Sequence, residues 1–268
     1  MLKKSGWILV AFSVSAGLSG CGGKGTNFGG TGTGNNGGGS MSTPNASPGG
    51  VWKGTESVSG AQVFGVADQL GDFFFERSDG VLYVGTATTS QNSLSASFDG
   101  YVLNGNAFSD GSTHGIGTLS GTIKSQASIS ATTQFTTDNS NTSKGSVSLN
   151  FDTLYNTASS LTTISGNFTN GADGAAVTIG SNGTIFSQDA KSGCVLNGTV
   201  LIINASYNAY KVVFDLASCK GTSFALNGIQ FTGLATLDTS VTPQVVHLAV
   251  TGASGNTKYA LVYDLKRS

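Results

Sequence analysis

Side chains able to do chemistry are scarce in this chain of 268 residues, which has three cysteines and two histidines. Cys21, Cys194 and Cys219 offer thiolates, the most nucleophilic of the ordinary side chains. His114 closes the run Ser109-Asp110-Gly111-Ser112-Thr113-His114, which gathers the residue types of a serine triad. A triad is defined by spatial roles that a linear cluster does not supply, and a solvated Gly-rich loop accounts for these residues better. Asp68, Asp72, Glu76 and Asp79 bring carboxylates together. A pair at the right separation would suit glycoside hydrolysis, and the plainer reading is a solvated hairpin edge. Neither His114 nor His247 has a ligand at metal-site spacing, so no metal is expected. No Gly-x-Ser-x-Gly elbow, His-Glu-x-x-His or phosphate loop occurs. The chain reads as a non-enzyme with no catalytic residues and no cofactor.

Cys21 stands apart because of what precedes it. Residues 1–20 have the parts of an export signal: Lys3 and Lys4, an apolar run from Trp7 to about Leu18, then small residues. That run is shorter than the roughly 20 residues a permanent span needs. Leu18-Ser19-Gly20-Cys21 resembles the lipobox of bacterial lipoproteins, with all four positions fitting. The resemblance implies a diacylglyceryl group on the Cys21 sulfur, cleavage before it and acylation of the new amino group. Several acyl chains hold a protein far more firmly than one. Gly22 is not the acidic residue that marks inner-membrane retention in enteric lipoproteins, so the outer membrane is the expected location, with the leaflet open.

With Cys21 lipidated, Cys194 and Cys219 are left as an even pair in an oxidising compartment, which reads as a structural disulfide. A hairpin turning near Ser206-Tyr207 would place Cys194 opposite Cys219 and Leu201 opposite Val212. Alternation then sends Val212, Phe214 and Leu216 to the core, and the disulfide to the other face with Lys211 and Asp215.

The 248 residues after position 20 suit one large or two small domains. With 38% apolar and 10% charged residues, the chain can bury a core and must wet its surface with Ser, Thr, Asn and Gly. A formal charge of −1 offers nucleic acid no electrostatic footprint. Gly22 to Gly50 is low in complexity and almost without apolar residues, so it reads as a flexible tether spanning roughly 30 Å.

From Val51 the pattern becomes short runs of period-two alternation between turn residues, with Ser78-Asp79-Gly80 a hairpin signal. Eight such runs end at Phe151, and Asp152 caps a helical turn. The order of signals then returns from Ile164. Trp52 answers Phe168, Tyr83-Val84-Gly85-Thr86 answers Leu196-Asn197-Gly198-Thr199, and Phe98-Asp99 answers Phe214-Asp215. Ile116 answers Phe231, and Phe151 answers Tyr263. Offsets of 112 to 116 residues indicate a duplicated unit. The fold expected is all-β: two tandem antiparallel barrels or sandwiches of about eight strands, covering residues 51–155 and 163–268, after a signal at 1–20 and a lipidated tether at 21–50. Gly50 to Trp52 is similar to the first strand of lipocalin-like barrels, which implies a barrel and no particular ligand. Phe74 must face away from Phe73 and Phe75, so one side of that strand exposes aromatic surface, packs on the second unit or lines a ligand opening. Strands this short, with serine and threonine on both faces, speak against a membrane-spanning barrel.

In layout the chain looks like surface lipoproteins of Gram-negative bacteria that carry small barrels on Gly-rich tethers and bind host proteins. Its expected role is a binding or surface-interaction module joined to the membrane through N-terminal lipid. The alternatives are a structural or assembly-accessory lipoprotein and an envelope hydrolase. Palmitate fed to cells should label the protein, and Cys21→Ser should remove both the label and the outer-membrane fractionation. A labelled Cys21→Ser variant would contradict the anchor.

Overall fold

The computed structural model describes residues 44–268 apart from positions 104 and 173, so Cys21 and most of the tether lie outside the described residues. Sixteen strands form two closed antiparallel barrels in simple up-and-down order. The first contains β1 (Gly50–Glu56), β2 (Gln62–Ala67), β3 (Asp72–Arg77), β4 (Val81–Ser90), β5 (Ser93–Val102), β6 (His114–Lys124), β7 (Ser128–Thr137) and β8 (Thr142–Asp152). The second contains β9 (Gly166–Asn170), β10 (Ala176–Ile179), β11 (Thr184–Gln188), β12 (Val195–Ile202), β13 (Tyr210–Ala217), β14 (Gln230–Asp238), β15 (Val245–Ser254) and β16 (Thr257–Arg267).

Closure pairs every edge, so neither sheet leaves a strand open to aggregation. Paired positions followed around the first ring from Trp52, through Gly65, Phe75, Tyr83, Gly100, Gly115 and Thr137, lead back to the first strand ten residues further on. The second ring, followed from Phe168 through Val177, Ser187, Leu196 and Leu216, closes with the same stagger. Strand number and stagger together set a barrel's bore, and at eight strands it is just wide enough to be filled by side chains or to hold one small ligand.

The duplication is visible at equivalent register positions. Gly85 pairs with Phe98 and Gly198 with Phe214. A Cβ at either glycine would stand within 2.2 Å of the neighbouring strand's carbonyl oxygen, so glycine is what lets the phenylalanine strand approach. Gly50 answers to Trp52 in the same way, since a Cβ there would lie 2.5 Å from the indole Nε1. Two landmark pairs from the sequence are not equivalent. Phe98 pairs with Gly117 where Phe214 pairs with Phe231, so Phe231 matches Gly117, and Ile116 points outward at 60% exposure. Trp52 pairs with Phe151 where Phe168 pairs with Arg267, so Arg267, not Tyr263, matches Phe151. Similarity of side chains misled there because the two units fill equivalent positions with different residues.

Cys194 and Cys219 stand at disulfide distance, with Sγ atoms 2.06 Å apart. The hairpin register differs by one residue from the sequence expectation: Val200, not Leu201, opposes Val212. The cause is Ser218, whose φ of 59° inserts an extra left-handed residue beyond the last ladder pair. That residue resets the alternation, so Cys219 turns inward. Both cysteines are buried in the core beside Leu196 and Leu216, not on the outer face with Lys211 and Asp215.

The barrels pack against each other. Val51, Val66, Phe74, Leu82 and Tyr101 on the outside of the first meet Ala209, Leu234, Ala249 and Ala260 of the second. Asp152 caps a 3-10 turn, Thr153–Asn156, by accepting from Leu154 N at 2.8 Å. This turn delivers Tyr155 to a stack on Tyr207, with centroids 4.8 Å apart. Buried Asn208 fastens the joint: its Nδ2 donates to Leu237 O and Leu154 O, and its Oδ1 accepts from Leu237 N.

Replacing both Cys194 and Cys219 with serine should lower the unfolding free energy by about 2–4 kcal/mol, read as a lower denaturant midpoint for the second barrel. An unchanged midpoint would show that the crosslink contributes nothing.

Candidate functional site

Inward positions of the first barrel build a cup. Its lower end is closed by residues that the sequence reads as tether. Ala46 N donates to Gln91 O at 2.7 Å, Thr89 Oγ1 to Ala46 O at 2.7 Å, and Trp52 Nε1 to Pro48 O at 3.0 Å. Chain order therefore begins before Gly50. Above this floor the phenyl rings of Phe98 and Phe135 lie parallel, 6.2 Å apart. Glycines make room for them: a Cβ at Gly100 would meet the Phe135 ring at 2.5 Å, and one at Gly117 the Phe98 ring at 2.3 Å.

At the other end lies a cavity of about 100 Å³, lined by Phe73, Phe75, Phe98, Leu119, Phe135 and Val147 among others. The matching space in the second barrel is about 10 Å³. Paired positions on the last two strands of each barrel explain the difference. Ser143, Gly145 and Val147 stand where the second barrel has Tyr259, Leu261 and Tyr263. Two of these losses are offset across the ladder, by Phe135 in place of Gly252 and by the Leu119–Thr133 pair in place of Gly233–Val250. One is not: Ala131–Val147 replaces Leu248–Tyr263, and Val147 borders the cavity.

The mouth is charged. Alternation along β3 carries Phe73, Phe75 and Arg77 inward, and Glu56 ends β1 on the same side. Arg77 Nη1 donates to Tyr83 OH at 3.0 Å, Nη2 to Ser59 Oγ at 2.8 Å and Nε to Asp79 Oδ1 at 3.0 Å; Glu56 Oε2 lies 3.7 Å from Nη1. Burial alone would weaken the Arg77 cation, but hydrogen bonds to Asp79 and Tyr83 outweigh it and hold the pKa above the ordinary arginine value. Burial pushes the Tyr83 phenol up. The sequence reading missed this group, although the spacing Phe73-x-Phe75-x-Arg77 places a cation on the same face as two inward rings.

Phe74 faces the second barrel while Phe73 and Phe75 face the cup, so opposite sides of one strand meet the packing and the opening alternatives. The residues that look like a triad do not assemble. Ser112 Oγ donates to Asp110 at 2.6 Å, while His114 is held by Asp99 at Nε2 (2.9 Å) and Asp138 at Nδ1 (3.0 Å). Ser109 and Gly111 are exposed on the turn as the loop reading expects, while Ser112 and His114 are buried and His114 opens β6. Lys258 of the second barrel reaches the same Asp99 oxygen at 2.5 Å. Burial pulls the His114 pKa down, but the hydrogen bonds to Asp99 and Asp138 prevail and raise it. The same partners lower Asp99 against the effect of its burial.

The four acidic residues separate too. Asp68 Oδ1 accepts from the Leu70, Gly71 and Asp72 amides, Asp72 takes a hydrogen bond from Thr86, and Asp79 serves the mouth. Glu76 faces the second barrel, where His247 Nδ1 and Asp264 Oδ1 are 2.7 Å apart. Burial first, then repulsion from Asp264, pushes the Glu76 pKa up to about 7, against the opposing pull of His247. Among the described residues no group of three or more His, Cys, Asp or Glu is placed to hold a metal ion, and no helix is long and apolar enough to cross a membrane.

No protein-family model and no curated protein matches the chain. A solved structure from Bacteroides fragilis, described as a "putative outer membrane protein", is similar over 82% of this chain and 97% of its own, at 12% identity and a TM-score of 0.28. So loose a likeness assigns nothing to this chain, and the functional reading rests on its own residues.

Glu76 and His114 give the junction a pH dependence of one sign. A raised folded-state pKa means the fold favours the protonated form, so Glu76's contribution is complete below its ordinary value of 4.5 and is lost as pH rises through about 7. His114, also raised, is lost in the same direction on the alkaline side of its ordinary value. Stability should fall between about pH 5 and pH 7 in denaturant titrations, by at most about 3 kcal/mol from Glu76, and Glu76→Gln should flatten that slope. A slope unchanged by Glu76→Gln would contradict this assignment.

Proposed function

We propose that the protein is an outer-membrane lipoprotein, held by lipid on Cys21, whose body is a binding module with its ligand site in the cup of the first barrel. The observation that carries this reading is the unequal filling of two barrels of identical strand number and stagger. On the same scaffold the matching space in the second unit is only about 10 Å³, so the larger void in the first comes from its side chains and not from the barrel geometry.

Two further features fit. The described chain enters the first barrel at its closed end, where Pro48 O accepts from Trp52 Nε1. The second barrel, filled and crosslinked, abuts the first and is suited to a buttress. Filled barrels would favour a purely accessory lipoprotein, and only the second unit meets that description. An envelope hydrolase finds no support at Ser112 or His114, whose hydrogen bonds go to carboxylates and not to each other. The membrane is reached through the N-terminal lipid, and the net charge of −1 still argues against nucleic acid.

Xenon enters small apolar cavities without regard to chemical class. Xenon dissolved in a sample of the protein should shift the amide resonances of Leu119, Thr133, Gly145 and Val147, and leave those of Val250, Leu261 and Tyr263 in place. Equal shifts in both barrels, or none in the first, would remove the cup as the binding site.

A further inference from the structure

We propose that the cup takes a ring-sized apolar group bearing no negative charge, and that it excludes carboxylates despite the arginine at its mouth. This deepens the reading of the cup as the binding site and rests on it. An arginine beside an apolar cavity ordinarily offers a fork for a carboxylate. Here most of the fork is occupied.

Asp79 takes Arg77 Nε and pairs with Nη2, Ser59 takes Nη2 and Tyr83 takes Nη1. Glu56 lies close enough to Nη1 for an ion pair, and its own oxygens accept from Val58 N at 2.8 Å, Ser59 N at 3.0 Å and Ser59 Oγ at 3.0 Å. Two carboxylates therefore stand against one guanidinium. An incoming anion would meet a formal excess of negative charge, and four of the five guanidinium N–H groups are already hydrogen-bonded, the fifth lying on Nη1 beside Glu56. Taking an ionised carboxylate out of water without such partners is costly, whereas an uncharged group pays no such penalty.

Size limits the group as well. A cavity of about 100 Å³ holds roughly one six-membered ring or a short branched alkyl end. Anything longer must leave its remainder in water, past Val58, which is 63% exposed on the turn between β1 and β2. Phe73, Phe75, Phe98 and Phe135 around the cavity offer edges and faces to a ring.

The test is an amide-resonance titration of the protein with toluene and with benzoate at pH 7, including Val147→Tyr as a blocked cup. Toluene should shift Leu119, Thr133 and Gly145, benzoate should bind at least about tenfold more weakly, and Val147→Tyr should abolish both responses. Asp79→Asn removes one negative charge and loosens the guanidinium. It should improve benzoate binding about tenfold and leave toluene within about twofold. Benzoate binding at those amides as tightly as toluene would overturn the charge selectivity while leaving the cup as the site. Failure of both probes to shift those amides would overturn the selectivity and the site together. No response of benzoate to Asp79→Asn would overturn the role given to the mouth.

Discussion

Everything in this molecule is built inside a fixed bore. Once eight strands close with a stagger of ten residues, the interior has a set width, and each layer must be filled by whatever the inward positions carry. Large residues are answered by small ones across the ladder: Phe98 lies between Gly85 and Gly117, and Phe214 faces Gly198. Phe135 opposes Ser143 in one unit, and Tyr259 opposes Gly252 in the other. Such exchanges conserve volume, which cores tolerate well. The Ala131–Val147 pair breaks the rule, and a cavity of about 100 Å³ bordered by Val147 stands in the first barrel against about 10 Å³ at the matching place in the second.

The junction between barrels follows a related logic on their outer faces. Bulky Phe74, Leu82 and Tyr101 project from the first barrel onto Ala209, Ala249 and Ala260 of the second, so the surfaces approach closely. Around that apolar patch polar groups are partnered across the seam, Lys258 with Asp99 as an ion pair and Asn204 with Gln69 as an amide hydrogen bond. A carboxyl at Glu76 with a pKa of about 7 makes this seam sensitive to pH.

The architecture was legible because alternation and turn residues are local signals. Asp152 as a cap, Phe74 facing away from its neighbours, and the correspondence between the units of Gly85 with Gly198 and of Phe98 with Phe214 could all be read from order and spacing. Register was less accessible: one left-handed residue, Ser218, shifted a whole hairpin and brought the disulfide inside. The cup was invisible for a deeper reason. It is a property of pairs such as Ala131–Val147 and of their counterparts in the other unit, and neither alignment exists until the ladders are known. Arg77 and Glu56 carry no local signal because they are far apart in sequence and meet only at the mouth.

The central claim is that the first barrel is underfilled at one layer. It is tested most directly by giving that layer the second barrel's residues, Ala131→Leu with Val147→Tyr, and measuring unfolding free energy by denaturant titration. An underfilled layer should gain stability, by about 1–2 kcal/mol, as the void is closed. A loss of about 1–3 kcal/mol, the cost of forcing side chains into a full core, would contradict the account.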